Sequence, residues 1–215
     1  MSTLERDARF MNQTTPPAPT PDDPRYGFAH VVGRVGDLIE STVALQATTD
    51  QLSKPTPCPD FTVKELLEHC VAAVRRVGAL GRGEAWSSVL DEDPVDAGWD
   101  TDYRAAAHDI MLAWQDPAQL EQTYVVPWGE FPGAALLYTY IAELAVHGWD
   151  LAQATNQPFT IDDDLLQGAL IAAKFIPAEG RDDPDMPFGA VVDPGPDAPT
   201  LDQIAGWLGR AVLAS

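Results

Sequence analysis

The sequence predicts an all-α protein, a four-helix bundle with an inserted segment between helices 2 and 3 and a short C-terminal helix. Three observations lead there. Apolar residues recur at helical spacing over four long stretches. Two stretches open with a hydroxyl residue followed three positions later by Glu or Gln, a helix-start signal. Proline-rich breaks separate the stretches, and strand-like patterning is confined to one short run. Residues 1–24, rich in Thr and Pro around Thr14-Thr15-Pro16-Pro17, read as a flexible leader, leaving residues 25–215 for the bundle and its C-terminal extension.

Helix 1 is expected from Pro24 to Gln51, with Phe28, Val31/Val32, Val35, Leu38/Ile39 and Thr42/Val43 forming its apolar stripe. Pro55, Pro57 and Pro59 then force an extended connection. Helix 2 begins at the capping box Thr62-Val63-Lys64-Glu65, with Phe61 placed to staple onto Leu66. Its stripe is Leu66, His69/Cys70, Ala73 and Val77, and Gly78, Gly81 and Gly83 close it. In the inserted segment, residues 101–115 suit a helix with Tyr103, Ala107, Ile110 and Trp114 on one side. Tyr124-Val125-Val126 suits a short extended piece, and Pro127 to Gly133 read as turns.

Helix 3, from about Ala134 to Thr155, carries Leu137, Tyr140, Leu144, His147 and Leu151 along one side and stops at Asn156-Gln157-Pro158. Helix 4, from Asp162 to Ile176, opens with three aspartates that suit the positive end of its dipole. Residues 177–199 should be irregular. A second capping box, Thr200 to Gln203, starts the last helix.

Bulk composition narrows the function classes. A formal net charge of −20 repels a nucleic-acid backbone or an anionic membrane surface, so neither is expected as a partner. No apolar run is long enough to span a bilayer, and the N-terminus lacks the apolar core of a secretory signal, so the cytoplasm is the expected location. Cys58 and Cys70 do not make a disulfide framework. Cys70 suits packing, whereas Cys58, in the proline-rich loop, is expected to be more exposed.

The chemistry lies in Glu143-Leu144-Ala145-Val146-His147. A carboxylate and an imidazole four residues apart share one face of a helix, the spacing two protein ligands need to hold one divalent metal. An ionised Glu in an apolar helix is costly unless a cation compensates it. A buried Glu–His or Glu–Arg pair would meet the same need. His69, in the apolar stripe of a second helix, is a candidate third ligand, since bundle sites draw donors from facing helices. Two histidines and one glutamate leave a coordination position open, as in catalytic rather than structural sites. Zinc fits the donor types best, with nickel, iron or manganese also compatible.

Asp150 is either an acceptor that orients a ligand histidine or a surface acid. Asp150, Tyr140 and Glu130 are weak candidates for catalytic acid–base roles. Arg75, Arg76 and Arg82 could meet an anionic substrate or balance local acids. His30 and His108 sit with polar neighbours and read as surface residues.

Three segments carry a resemblance: Pro57-Cys58-Pro59-Asp60-Phe61-Thr62-Val63 with Leu66-Leu67-Glu68-His69; Pro127-Trp128-Gly129-Glu130-Phe131-Pro132-Gly133; and Glu143 through Ala152. In order and spacing they resemble the mycothiol-dependent maleylpyruvate isomerase-like metal-binding proteins of the DinB superfamily. The closing run from Ala198 to Gly209-Arg210 resembles that group's C-terminal signature, so the likeness spans about residues 25–212.

The resemblance implies a DinB-like bundle with one divalent metal, usually zinc, on His69, Glu143 and His147. It also implies an open position where a low-molecular-weight thiol, mycothiol, is activated as cosubstrate for isomerisation or S-transfer. The isomerase has a distinct C-terminal domain, whereas only a short helical tail follows residue 177 here. Two functions are therefore carried forward: a thiol-dependent transferase or isomerase, and a non-enzymatic metal- or small-ligand-binding protein on the same fold. A small thiol or substrate is the expected partner, and a homodimer is compatible with either.

Overall fold

The computed structural model describes residues 20, 22–46, 50–90, 95, 98–181 and 188–211. Nearly all of the expected leader falls outside these residues. The described helices are α1 (Pro24–Gln46), α2 (Val63–Gly81), α3 (Trp99–Ala113), α4 (Gly133–Thr155), α5 (Asp163–Ala173) and α6 (Thr200–Trp207). A two-stranded antiparallel hairpin, β1 (Thr123–Val126) and β2 (Gly129–Pro132), precedes α4. The architecture is all-α. No described helix is long and apolar enough to cross a membrane.

Helix α1 follows its predicted stripe, burying Phe28, Val31, Val32, Val35, Leu38, Ile39 and Thr42. Its described part ends at Gln46, and residues 47–49 lie outside the description. Helix α2 starts at the predicted box: the Glu65 backbone N–H donates to Thr62 Oγ1, and the Thr62 backbone N–H donates to Glu65 Oε2 at 2.8 Å. Two of the orphan donors of the first turn are thereby satisfied, which fixes the register of the helix that carries His69.

Helix α3 arises in the stretch assigned to the insertion and is a full bundle member. It packs against both α1 and α2, α4 packs against the same two, and the four form a ring in the order α1, α3, α2, α4. Two buried polar side chains lock α3 in place. Tyr103 donates its hydroxyl to Val32 O at 3.1 Å, and Trp114 Nε1 donates to Val77 O at 2.8 Å. Helix α5 packs on α4 from outside this ring, and α6 covers both. With neighbours on all sides, α4 is buried around nearly its whole circumference, which explains its almost continuous apolar sequence.

Two local expectations are corrected. The segment from Pro127 to Gly133, read as turns, contains a strand. Gly129–Pro132 pairs with Thr123–Val126 in the register Val126↔Gly129 to Thr123↔Pro132, leaving Pro127-Trp128 as a two-residue hairpin loop. Its glycines and prolines hid the strand, because at a hairpin's ends they need satisfy few ladder bonds.

The expected box at Thr200 does not form. Thr200 is the first helical residue, and its N–H is capped by Asp163 Oδ1 of α5 at 2.8 Å. Gln203 turns away to donate to Ala198 O. A carboxylate from a neighbouring helix has displaced the local cap.

Candidate metal centre

The ring order makes α2 and α4 neighbours, and this brings His69 to Glu143 and His147. Glu143 and His147 lie one turn apart on α4, as their spacing requires. His69 Nε2 is 2.9 Å from Glu143 Oε1, and His147 Nε2 is 3.4 Å from the same oxygen. The imidazoles meet edge to face with centroids 4.8 Å apart. One donor atom from each of the three residues falls within 4.8 Å of the others. Ligands at 2.0–2.2 Å around a tetrahedral zinc stand about 3.4 Å apart, close to the 2.9 and 3.4 Å separations of the two imidazole nitrogens from Glu143 Oε1.

The site is open on one side. The Glu143 side chain keeps 36 % of its exposure and that of His69 keeps 17 %, whereas His147 is buried. Phe61, just before the helix cap, stacks on His69 at 4.8 Å and meets His147 edge-on at 5.8 Å, forming one wall. The predicted staple residue therefore faces the site. Behind the helix, Gly148 admits Phe159. A Cβ on Gly148 would lie 2.4 Å from the Phe159 ring, so the residue after His147 must lack one.

Asp150 is not a surface acid. It is fully buried, and its Oδ2 accepts from His147 Nδ1 at 3.1 Å. Carboxylates only accept, and one faces each nitrogen of His147, an arrangement that favours the imidazolium. Burial opposes that charge, but Glu143 and Asp150 outweigh it and push the pKa up from 6.5 to about 9. Burial likewise works against the Glu143 carboxylate. The charges and hydrogen bonds of His147 and His69 outweigh it and hold the group well below the usual carboxylate range.

The other candidates fall elsewhere. Tyr140 lies one turn before Glu143 on α4, buried, with its hydroxyl accepting from Trp86 Nε1 at 2.9 Å; burial pushes its pKa up. Trp128 at the hairpin tip meets both Tyr140 and Trp86 edge-on. Glu130 stands exposed on β2. Arg75 pairs with Asp102 and Arg82 with Glu84, balancing local acids, while the Arg76 guanidinium lies 4.2 Å over the Trp86 ring. His108 is exposed as expected, and His30 is half-buried.

Cys58 corrects an expectation. It is buried rather than exposed, because Thr56 closes the loop with a hydroxyl in reach of Cys58 O and Phe61 O. Its thiol shares a second donor group with His147 and Asp150, all within 4.8 Å. That group already contains a cation. Arg210 Nε donates to Asp150 Oδ1 at 3.3 Å and Oδ2 at 3.2 Å. A metal there would face a guanidinium, so His69, Glu143 and His147 are the better set. Neither Arg210 nor the placement of Cys58 was legible from local sequence, since both contacts are long-range.

A helical bundle with an open His, Glu, His donor group between two facing helices defines a class of metal-binding-competent, DinB-like proteins. Within it, the chain belongs to the family of mycothiol maleylpyruvate isomerase N-terminal domains, whose family model matches residues 35–152. Two proteins of Mycobacterium tuberculosis, one from each of two strains and both described as uncharacterized, are 33% identical to it over 167 residues, 76% of this chain and 87% of theirs. No solved structure matches it significantly. The family match covers all three donors and Asp150 but stops well short of Arg210.

Proposed function

We propose that the protein binds one divalent metal, zinc by donor type, on His69, Glu143 and His147, and uses the open side of that site to take up a low-molecular-weight thiol for transfer or isomerisation. The observation that carries this reading is the convergence of His69 Nε2 and His147 Nε2 on one oxygen of Glu143, with His147 Nδ1 tied to a buried carboxylate. A buried Glu–His pair needs one histidine. Two imidazoles on one oxygen, open to solvent on one side, suit a cation with a free position. The metal, when bound, lowers the pKa of a coordinated thiol and yields a thiolate at neutral pH.

The residues of the chain do the rest. Asp150 holds the His147 proton on Nδ1 and so presents Nε2 as a lone-pair donor. Phe61 and the aromatic group of Trp86, Trp128 and Tyr140 give the neighbourhood of the donors an apolar character. Mycothiol as the thiol rests on the family's description.

A second reading, metal and ligand binding without turnover, is favoured by the state of the acid–base candidates. Tyr140 is buried and hydrogen-bonded, Glu130 is exposed on the hairpin, and Asp150 is paired with Arg210.

Elemental analysis of purified protein beside His147→Ala tests the site: one metal per chain is expected in the first and loss in the second. Equal metal content in both would remove the assignment. Calorimetry with mycothiol on zinc-loaded protein then separates the readings, and no binding there removes the thiol role.

A further inference from the structure

The C-terminal end of the described chain reaches the donor site through one side chain. Helix α6 ends in a double turn of hydrogen bonds. Gly209 N–H donates to Gly206 O at 3.1 Å and Arg210 N–H to Ala205 O at 2.9 Å. This is the Schellman pattern, and it needs a left-handed residue after the helix; Gly209 provides it with φ 81°. A Cβ at Gly209 would also lie 2.7 Å from Gly189 backbone atoms. The pair Gly209-Arg210 therefore reverses the chain at a fixed point and sends the Arg210 side chain back under α4. A second tie holds α6 there: Trp149 Nε1, beside Asp150 in sequence, donates to Asp202 Oδ1 at 2.9 Å.

Arg210 is buried, and two of its guanidinium nitrogens are held by acceptors. Nε lies between the two oxygens of Asp150, and Nη1 donates to Leu208 O at 3.1 Å. Asp150 has no exposed surface, and a carboxylate buried that deeply without a countercharge is strongly unfavourable. On its other side Asp150 accepts from His147 Nδ1. The three side chains form a line: Arg210, Asp150, His147.

We propose that Arg210 is a positioning residue for the metal site, holding Asp150 as the fixed acceptor that aims His147 Nε2 at the metal position. The inference rests on the metal reading above. It makes the C-terminal segment, which lies outside the family match, part of the site. Outer partners of ligating histidines are commonly worth 10–100-fold in metal affinity, and the same range applies to Arg210 acting through Asp150.

The test is zinc affinity by chelator competition on full-length protein, beside the thermal midpoint with and without zinc. Arg210→Ala should weaken zinc binding about 10–100-fold, and Arg210→Lys, which keeps the charge, should recover part of the loss. Asp150→Asn should weaken binding similarly. Adding Arg210→Ala to Asp150→Asn should cost no further affinity, because the line is already cut.

If Arg210→Ala does not fold, Arg210→Gln keeps the side-chain stem and is read by the same criteria. A purely structural Arg210 would lower the midpoints of both forms equally and leave the zinc-induced shift unchanged. That result, zinc affinity within about twofold of wild type, or single losses that multiply in the double variant, overturns the proposal. Wild-type protein that binds no zinc overturns the metal reading instead, so the two failures are distinguishable.

Discussion

Metal and proton compete for the same nitrogen of His147, and the competition has a calculable size. Without metal the imidazole is pushed up to about 9 by Glu143 and Asp150. A metal requires Nε2 unprotonated while Nδ1 keeps its hydrogen for Asp150. At pH 7 a group with that pKa is neutral about one time in a hundred. Apparent zinc affinity at pH 7 should then lie about 100-fold, or roughly 3 kcal/mol, below its high-pH limit. It should climb about tenfold per pH unit from pH 6.5 to 8.5, with about one proton released per metal. Calorimetry at each pH in two buffers of different ionisation enthalpy measures both quantities.

Folding stability carries the opposite sign. The folded pKa lies above the unfolded value of 6.5, so this group's contribution is fully present below 6.5 and is lost as pH rises through about 9. Metal-free protein should therefore lose thermal stability over that window, while the metal-induced increment grows. Glu143, held low, contributes stability that is present above about 4.5 and lost as pH falls into the acid range. An affinity that changes less than twofold from pH 6.5 to 8.5 would refute the assignment of His147 as both imidazolium and ligand.

Three further outcomes check the scaffold around the site. Gly148→Ala should destabilise by about 1–3 kcal/mol in denaturant titration, because the new methyl enters the Phe159 ring; adding Phe159→Leu should return part of it, and an unchanged midpoint in the single variant would contradict the close packing. Thr62→Ala should cost about 1 kcal/mol by the same measurement, since it removes the side-chain cap of the helix that carries His69. Both cysteines should be nearly inert to a thiol reagent in native protein and titrate as two in denaturant: Cys58 and Cys70 are buried, and burial pushes both thiols up. Rapid native labelling of Cys58 would contradict its placement against His147 and Asp150.

How much of this was legible in the sequence follows from the range of the interactions involved. The donors on α4 were legible because a helix fixes the relation between positions four apart, whatever surrounds it. The start of α2 was legible for the same reason: Thr62 and Glu65 complete their hydrogen bonds within one turn. His69 was reachable because its apolar stripe pointed it inward, although which helix it would meet depended on the ring order. The apparent insertion concealed α3 as a bundle member, since its ties to α1 and α2 run through Tyr103 and Trp114 to backbone carbonyls remote in sequence.

The expectations that failed or stayed open involve one chain segment borrowing a partner from another. Thr200 looked self-sufficient as a cap until Asp163 arrived from α5. Cys58 looked exposed among prolines, yet the loop folds it against α4. Asp150 was evenly poised between surface acid and orienting acceptor because its countercharge stands 60 residues away, in Arg210. The local signal in that region was Gly209, whose positive φ turns the chain; the charge that follows a glycine at a helix end gains meaning only when the helix has docked. The spacing of Glu143 and His147 is thus set by helical periodicity, while the countercharge to Asp150 is set by tertiary docking of α6. Any chain of this family that keeps the Glu143 and His147 spacing but lacks a cation against its buried aspartate should carry a weaker metal site, however well its helices match.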